Sequence, residues 1–323
     1  MKILAVQNRM GIGDMIIFLP FIEAIAKKFD SPVSILVKEN TKSSEILKNN
    51  PHINEIIFLD RNDHAKKGRH FGFRGTLNLA SDIQKYNFDK VFIFNSSLRF
   101  RLIMKIAKIK DIYQYKLFDK KKQNIIKAAQ DFLKRSINLD VESKPIISIS
   151  PKDINEAFLK YNIVKKNINI LLGIGGSGDT KRVAAEKYIE FIKLCTNNYE
   201  CKFFLAAGKK YEEQEILKKI LNSNFKNYCK ALDDLTISET LPIIKNCNLA
   251  VCNDTSFSHL SAALEIETIV LMTDSPLLYG SYSPKMHPII PDGEKTVTHN
   301  TLGKDKINPE KIFNKMKEIL KLS

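Results

Sequence analysis

The chain of 323 residues has a hydrophobic fraction of 44%, a charged fraction of 27% and a formal net charge of +15. These values exclude a disordered or fibrous chain, and the length predicts two domains rather than one. The charge is uneven, because residues 1–160 carry 29 basic and 17 acidic side chains while residues 161–323 carry 22 and 19. A basic first half predicts an anionic partner, such as nucleic acid, a lipid surface or a phosphorylated substrate. The alternative is a Lys-rich composition on a solvated face.

Two further features indicate a cytoplasmic protein. No apolar run approaches the ~20 residues of a transmembrane helix, and the start at Met1-Lys2 lacks the pattern of a signal peptide. The five cysteines form no CxxC pair, which predicts reduced thiols that act as small apolar fillers, and no structural zinc site. They are Cys195, Cys201, Cys229, Cys247 and Cys252.

Apolar runs and helical spacing alternate along the first half of the chain. The predicted strands are residues 2–7, 33–37, 56–59, 91–94 and 146–149. The predicted helices are residues 15–29, with Pro20 inside as a kink, 43–49, 77–86 and 98–108. This alternation predicts a parallel sheet covered by helices.

The second half begins the same pattern again. The predicted strands are residues 169–174, 203–206, 249–252 and 268–272, and the predicted helices are residues 184–196, 212–221, 257–264 and 309–320. Asn308 and Pro309 form the start of the last helix. We therefore expect two doubly wound domains, residues 1–160 and 161–323, with a hinge near 161–166. The terminal helix, 308–321, is expected to pack back on the first domain. Ligand is expected in the cleft, at the carboxyl ends of the strands.

Three loops follow predicted strands and contain residues suited to chemistry. In the first loop, Gly11 and Gly13 permit close backbone approach, and Asp14 falls at a helix start. A helix cap is the alternative role of Asp14. A dinucleotide fingerprint has a third glycine in this loop and an acidic residue that closes the second strand, whereas this loop lacks the third glycine and the predicted second strand ends at Val37.

The second loop is equipped to hold a phosphate. Consecutive glycines lead into Ser177, Gly178, Thr180 and Lys181, so that backbone N–H groups, hydroxyls and one full positive charge meet at a helix start. Gly178 is followed by Asp179 rather than by Lys, which excludes a Walker A loop and disfavours a magnesium-bound nucleoside triphosphatase. A flexible surface loop is the alternative.

The third loop presents Asp254, Thr255 and Ser256 at the start of a helix, and His259 lies one turn inside. These residues would present oxygens and N–H groups at the helix start. A lone histidine here is more often structural, so the whole segment carries more information than any one member.

Together these loops resemble glycosyltransferase family 9, the family of the lipopolysaccharide heptosyltransferases. The family carries a Gly-Asp pair followed by a proline, a small-residue loop ending in Lys, a Gly-x-x-x-Glu step and a D-T-G-x-x-H-x-A-x-A segment. The matching residues are Gly13, Asp14 and Pro20, residues 177–181, Gly208 and Glu212, and residues 254–263, with a later similarity at residues 279–282. The departures from the family pattern are Val183, Ser256, Ser261 and Ser281.

The resemblance implies a GT-B-like α/β fold, with two Rossmann-like doubly wound domains facing across a cleft. It implies an acceptor-binding first domain and a nucleotide-sugar-binding second domain. The implied reaction is inverting transfer, without metal or other cofactor, of heptose from ADP-heptose to a lipopolysaccharide core or lipid A-linked acceptor. In that reaction Asp14 is the expected base for the acceptor hydroxyl. Lys181 and the N–H groups of Thr255 and Ser256 are expected to stabilise the leaving diphosphate, and Glu212 suits a ribose hydroxyl.

The basic first half then has an expected partner, an anionic lipid-linked acceptor at the cytoplasmic face of the inner membrane. The basic residues form three clusters in the sequence, which are Lys66, Lys67, Arg69 and Arg74; Arg99, Arg101, Lys105, Lys108 and Lys110; and Lys120, Lys121 and Lys122. No basic stripe interleaved with aromatic residues supports nucleic acid. Three alternatives stay open: a transferase for another nucleotide sugar, an epimerase of the same fold, and a non-catalytic nucleotide-binding relative.

Overall fold

The structure, a computed structural model, describes residues 1–62, 65–117, 124–176 and 178–322. The chain divides into two compact units, Met1–Pro145 and Ile146–Ser323. The division falls ahead of the expected boundary at 160/161, because residues 151–160 form a helix that packs within the second unit. The charge asymmetry is unaffected, since residues 146–160 contain two basic and two acidic side chains.

In the described part of the first unit, five parallel strands form one sheet in the order β3-β2-β1-β4-β5. The strands are β1 (Ile3–Val6), β2 (Val33–Val37), β3 (Ile53–Phe58), β4 (Lys90–Ile93) and β5 (Asp111–Gln114). The helices are α1 (Ile12–Phe29), α2 (Ser43–Ile46), α3 (Gly72–Gln84), α4 (Leu98–Ile106) and α5 (Ile125–Ile137).

Helices cover both faces of this first sheet. Leu4 and Val6 of β1 share a core with residues of α3 and α4. On the opposite face Phe92 of β4 lies edge-on to Phe132 of α5, with ring centroids 6.4 Å apart. Burial on both faces explains why the central strands are short continuous apolar runs rather than alternating ones.

The described part of the second unit contains a six-stranded parallel sheet in the order β11-β10-β9-β6-β7-β8. The strands are β6 (Ile168–Gly173), β7 (Cys201–Ala206), β8 (Cys229–Ala231), β9 (Leu249–Asn253), β10 (Thr268–Leu271) and β11 (Met286–Ile289). The helices are α6 (Pro151–Lys160), α7 (Ala185–Asn198), α8 (Tyr211–Leu221), α9 (Ile237–Lys245), α10 (Ser256–Ala263) and α11 (Pro309–Leu320). The two predicted parallel α/β units are confirmed.

The sequence prediction was wrong for residues 146–149, which belong to neither sheet. The Ile147 N–H donates to the carbonyl of Ala263 at 2.8 Å, a backbone contact outside the strand ladders. Conversely, β5, β8 and β11 were missed, and all three lie at sheet edges. β11 contains Pro288, which has no backbone N–H to donate. An edge strand tolerates proline because one of its sides forms no hydrogen bonds to another strand.

The terminal helix packs on other elements of the second unit, and its expected packing on the first domain stays a prediction. Ile312, Phe313 and Met316 of α11 join the core that also contains Phe191 and Cys195 of α7. This apolar face explains the packing, because α7 offers a matching apolar face beside it. The predicted start of α11 is confirmed, since the Asn308 side chain accepts a hydrogen bond from the Glu310 N–H at 2.9 Å.

The cysteines are free thiols, as predicted, and four of the five are buried. Burial raises the pKa of the Cys252 thiol to about 12. Such a thiol stays protonated at neutral pH and serves as apolar packing rather than as a nucleophile.

Candidate functional site

The strand order of each sheet reverses at one point, and the loops of interest begin there. In the first unit β1 lies beside β4, and in the second unit β6 lies beside β9. From β1 the chain continues to β2 on one side, and from β4 it continues to β5 on the other side. From β6 and β9 it likewise continues to β7 and β10 on opposite sides. The loops at the carboxyl ends of each central pair therefore diverge and leave a crevice. The predicted first loop follows β1, the second follows β6 and the third follows β9.

Asp254, which follows β9, is the centre of a buried polar cluster in the second unit. Lys181 Nζ donates to Asp254 Oδ2 at 2.6 Å, and Ser275 Oγ donates to the same oxygen at 2.6 Å. The other carboxylate oxygen, Oδ1, lies 3.8 Å from His259 Nε2. The second and third predicted loops are therefore joined by an ion pair, which the sequence spacing alone did not reveal.

The charge state of Asp254 follows from its neighbours. Burial by itself would raise its pKa, but the charges of Lys181 and His259 and the hydrogen bonds from Lys181 and Ser275 hold the pKa below its ordinary value. The carboxylate is therefore ionised at neutral pH. It orients the Lys181 ammonium toward one position rather than leaving it on a mobile side chain.

His259 is buried and has a second partner in Tyr282. Its Nδ1 lies 2.9 Å from the Tyr282 hydroxyl, and the two rings stack with centroids 5.6 Å apart. Burial, and then the charge of Asp254, raises the pKa of Tyr282, so the phenol stays neutral. His259 is thus part of the Asp254 cluster rather than an isolated core residue.

Thr255 and Ser256 form the start of α10, one residue earlier than predicted. The Thr255 hydroxyl accepts a hydrogen bond from the Phe257 N–H at 3.3 Å and caps the helix. The hydroxyl is therefore used in capping, and the backbone N–H groups at the helix start are what this segment presents to a ligand.

Asn253, the last residue of β9, holds the glycine-rich loop in place and was missed by the sequence analysis. Its amide nitrogen donates to the carbonyl groups of Ile174 and Gly175, at 3.0 and 2.9 Å, and its amide oxygen accepts from the Tyr188 hydroxyl at 2.8 Å. All of these groups are buried. A polar residue at the end of an apolar strand is the only sequence signal for this role.

A carboxylate also binds the glycine-rich loop, and it belongs to Glu213. Its Oε2 accepts from the Gly208 N–H at 2.6 Å and its Oε1 from the Gly176 N–H at 3.4 Å. A Cβ atom at Gly175 or Gly208 would lie 2.5 or 2.7 Å from Oε2, so a larger residue at either position would displace the Glu213 carboxylate. The amides of Gly176 and Gly208 are thus occupied by the protein itself.

Glu212, the residue predicted to bind a ribose, is the neighbour of this buried carboxylate and is exposed in the first turn of α8. Consecutive helical residues point about 100° apart, so only one of the two can enter the loop. The family resemblance pointed to Glu212 alone, and the contacts of Glu213 with the loop appear only in the folded structure.

The remainder of the second loop is held by Arg182. Its guanidinium donates to the Gly176 carbonyl at 3.0 Å and is paired with Asp179. The Thr180 carbonyl accepts from the Thr273 hydroxyl at 2.8 Å. These bonds argue against the flexible-loop alternative for the described residues. Ser177 lies outside the described residues.

Asp14 lies in the first unit, in the first turn of α1. Gly13 precedes it within that turn, and Gly11, at φ +99°, is the residue before the helix. The Asp14 carboxylate does not cap the helix, and instead accepts a hydrogen bond from Arg9 Nε at 2.9 Å. The Arg9 guanidinium and the Asp14 carboxylate therefore form an ion pair whose carboxylate is partly exposed.

Two α/β units with such loops at the carboxyl edges of parallel sheets have the fold of GT-B glycosyltransferases. The solved structure of E. coli ADP-heptose lipopolysaccharide heptosyltransferase II matches with a TM-score of 0.74 at 17% identity, and covers 99% of this chain and 98% of that one. E. coli heptosyltransferase WaaC with ADP matches with a TM-score of 0.72 at 15% identity, over 99% and 100% of the two chains. The predicted fold class is confirmed.

The family is shown by a sequence match. The model of glycosyltransferase family 9 (heptosyltransferase) matches residues 79–311, and the chain belongs to this family. Lipopolysaccharide heptosyltransferase 1 of Campylobacter coli is 24% identical and is aligned over 99% of both chains. The resemblance drawn from the loops is confirmed.

Proposed function

We propose that the protein is an inverting glycosyltransferase that moves a sugar from a nucleotide-sugar donor to an anionic lipid-linked saccharide. The proposed donor is ADP-heptose and the proposed acceptor is the lipopolysaccharide core on lipid A. The Lys181–Asp254 ion pair at the β6–β9 switch point is the observation that carries the proposal. Family membership and the relatives named lipopolysaccharide heptosyltransferase support the donor and acceptor classes.

In the proposed mechanism the second unit binds the donor and stabilises its leaving group. An ammonium has three N–H donors, and Asp254 receives one of them at Lys181. The others can bind the diphosphate as negative charge develops on it. The N–H groups of Thr255 and Ser256 at the start of α10 add partial positive charge.

The donor site is proposed to continue around the neighbouring loops. Gly178 and Thr180 are assigned to the phosphate side, and His259 supports that side through Asp254. Ser177 is assigned to the same side on its sequence position alone. Gly208, just ahead of α8, and the exposed Glu212 in its first turn are assigned to the ribose, because a carboxylate suits its two hydroxyls. Gly13 and Asp14 of the first unit are assigned to the acceptor, with Asp14 taking the proton of the attacking hydroxyl.

The proposed reaction needs no metal, because Lys181 and helix N–H groups occupy the role that a cation has in other transferases. A radiolabelled or mass-tagged transfer assay with ADP-heptose and a lipid A-linked acceptor tests the proposal directly. We expect product with inverted anomeric configuration, at a rate that EDTA leaves unchanged. Loss of product on chelation, restored by a divalent cation, would contradict metal independence.

A second candidate is a relative with the same fold that uses another nucleotide sugar, as a transferase or an epimerase, or that binds one without catalysis. The sequence departs from the family pattern at Val183 and Ser256, and the departure at Ser256 favours this candidate. Val183 is fully buried in the core of the second unit, so that substitution concerns packing. Ser256 lies at the helix start, where it bears on the donor.

Thermal-shift measurements with ADP, UDP, GDP and CDP separate these candidates. Ligand at ~100 times its dissociation constant adds ~2.7 kcal/mol of stability. We expect stabilisation by ADP above the others. A response to UDP or GDP without one to ADP would reject the heptose donor. ADP binding without transfer or hydrolysis would favour the non-catalytic relative.

A cytoplasmic location, with peripheral contact to an anionic membrane, is proposed on the same grounds. No helix among the described residues is long and apolar enough to cross a bilayer. Lys120, Lys121 and Lys122 of the third basic cluster lie outside the described residues.

A further inference from the structure

Five large apolar side chains are exposed on the outer side of α3 and α4. On α3, Phe73 is 79% exposed and Leu77 is 45% exposed. On α4 the exposed residues are Leu98, Leu102 and Ile106, at 52%, 49% and 38%. Within each helix these residues are four positions apart, so each helix presents a single apolar stripe to solvent.

The two stripes belong to one surface, here named the α3–α4 face. The helices pack side by side, and Arg99 of α4 donates from Nε to the Thr76 hydroxyl of α3 at 2.9 Å. Arg99 therefore marks the side of α4 that is turned to α3. Leu102 lies three positions after Arg99, and Phe73 lies three positions before Thr76, so both stripes border the line where the helices meet.

Among the described residues, the charges around the α3–α4 face are positive and are not balanced by a nearby free carboxylate. Arg74, Arg101 and Lys105 have no salt bridge to any described residue. α4 contains no acidic residue, and the acidic residue of α3, Asp82, is bound by Arg69 and Lys85. Two arginines of the predicted clusters, Arg69 and Arg99, thus bind within the unit rather than facing a partner.

Apolar patches of this kind are uncommon on monomers and mark a site of contact. Contact with a second copy would bring two sets of unpaired cations together, which is unfavourable. An anionic bilayer offers an apolar region for the exposed side chains and negative charge for the cations. Apolar side chains enter the boundary between headgroups and acyl chains, while Lys and Arg contact the anionic headgroups.

We propose that the α3–α4 face docks on the surface of an anionic lipid bilayer. Docking on this face would hold the first unit at the bilayer surface that carries a lipid-linked acceptor. The inference rests on the proposed function for that acceptor. The inference goes beyond the proposed function because it assigns the membrane contact to α3 and α4. Insertion of their apolar side chains, and not net charge alone, would then hold the protein on the bilayer.

Vesicle flotation with the full chain tests the apolar contribution. The vesicles are phosphatidylcholine alone, and phosphatidylcholine with phosphatidylglycerol. We expect binding to the anionic vesicles and at least tenfold weaker binding by the double variant Phe73→Ser and Leu102→Ser. The matched control is Leu159→Ser with Val164→Ser, two exposed apolar residues of the second unit, and we expect it to bind as the wild type does.

The charge contribution is tested by Arg74→Glu with Lys105→Glu. The control is Lys193→Glu with Lys218→Glu, which changes the net charge equally at exposed positions of the second unit. We expect at least tenfold weaker binding for the first pair and little change for the second. Equal weakening by both pairs would show that net charge, rather than this face, governs binding and would overturn the proposal.

Three other outcomes would also overturn it: no binding of the wild type to anionic vesicles at low salt, wild-type affinity in the Phe73→Ser and Leu102→Ser variant, or self-association that this variant abolishes. The last result would mean that a second copy covers the face. ADP-induced thermal stabilisation is measured on every variant. If the Phe73→Ser and Leu102→Ser variant binds both ADP and vesicles as the wild type does, the docking face alone is rejected. If the wild type does not bind ADP but does bind anionic vesicles through this face, the proposed donor alone is rejected.

Discussion

Lys181 and Asp14 are proposed to act on different substrates, and substitution separates their roles. Lys181→Ala should weaken ADP binding as well as the rate, because the ammonium is proposed to contact the diphosphate in both ground and transition states. Asp14→Asn should lower the rate by roughly 10²–10⁴-fold and leave ADP affinity nearly unchanged. Steady-state kinetics together with calorimetric ADP titration measure both effects. An equal loss of ADP affinity in the two variants would show that Asp14 is not the base.

The control for this experiment follows from the Asp254 cluster. Lys181→Ala leaves a buried carboxylate without its main partner, which can cost about 3 kcal/mol of stability. The double variant Lys181→Ala with Asp254→Asn removes the unpaired charge as well. We expect it to recover stability but not activity, and this separates the loss of a catalytic charge from a folding defect.

The lowered pKa of Asp254 predicts how stability depends on pH. A carboxylate whose pKa falls on folding contributes stability that is present above the unfolded value of about 3.9 and is lost as the pH falls further. Asp254→Asn should therefore reduce the unfolding free energy by about 2 kcal/mol at neutral pH. The difference from the wild type should shrink below about pH 4. Urea denaturation between pH 7 and 3 measures it, and a difference that is the same at every pH would contradict this account.

At the scale of the element, the start of α8 offers a matched pair of neighbouring carboxylates. Glu213→Ala removes the acceptor for the Gly176 and Gly208 N–H groups and should destabilise the protein by about 2–3 kcal/mol. Glu212→Ala removes an exposed side chain, so stability should change by less than about 0.5 kcal/mol while ADP affinity falls. Thermal unfolding and ADP titration of both variants test this. Similar destabilisation by both substitutions would show that the two side chains do not have separate roles.

The elements also differ in how far local sequence determined them. β1, β6 and β9 are buried on both faces and could be predicted from their apolar runs alone. β5, β8 and β11 are edge strands whose mixed composition carries no such signal, and they are strands because a neighbour provides hydrogen bonds. The stretch 146–149 has strand-like composition but no such neighbour.

For the whole molecule, the uneven charge predicts that salt acts on one substrate more than on the other. The Debye length falls well below ~10 Å as salt rises from about 0.05 to 0.5 M, which screens exposed charges most. The KM for an anionic lipid-linked acceptor should therefore rise severalfold, while the dissociation constant of ADP, held at a partly buried site, should change less. Parallel changes in both constants would contradict an acceptor role for the basic first unit.

The amino-acid sequence by itself determined the alternation of strands and helices, the two α/β units, the three loops after central strands and the family. These features are local, because periodicity, helix caps and loop residues act over a few neighbouring positions. The tertiary structure alone decided that Glu213 rather than Glu212 enters the glycine-rich loop, that Asn253 holds this loop, and that Lys181 is paired with Asp254. It also decided that α11 packs on α7. The physical reason is that hydrogen-bond and packing partners distant in sequence are chosen by the register and direction of whole elements, which no local pattern records.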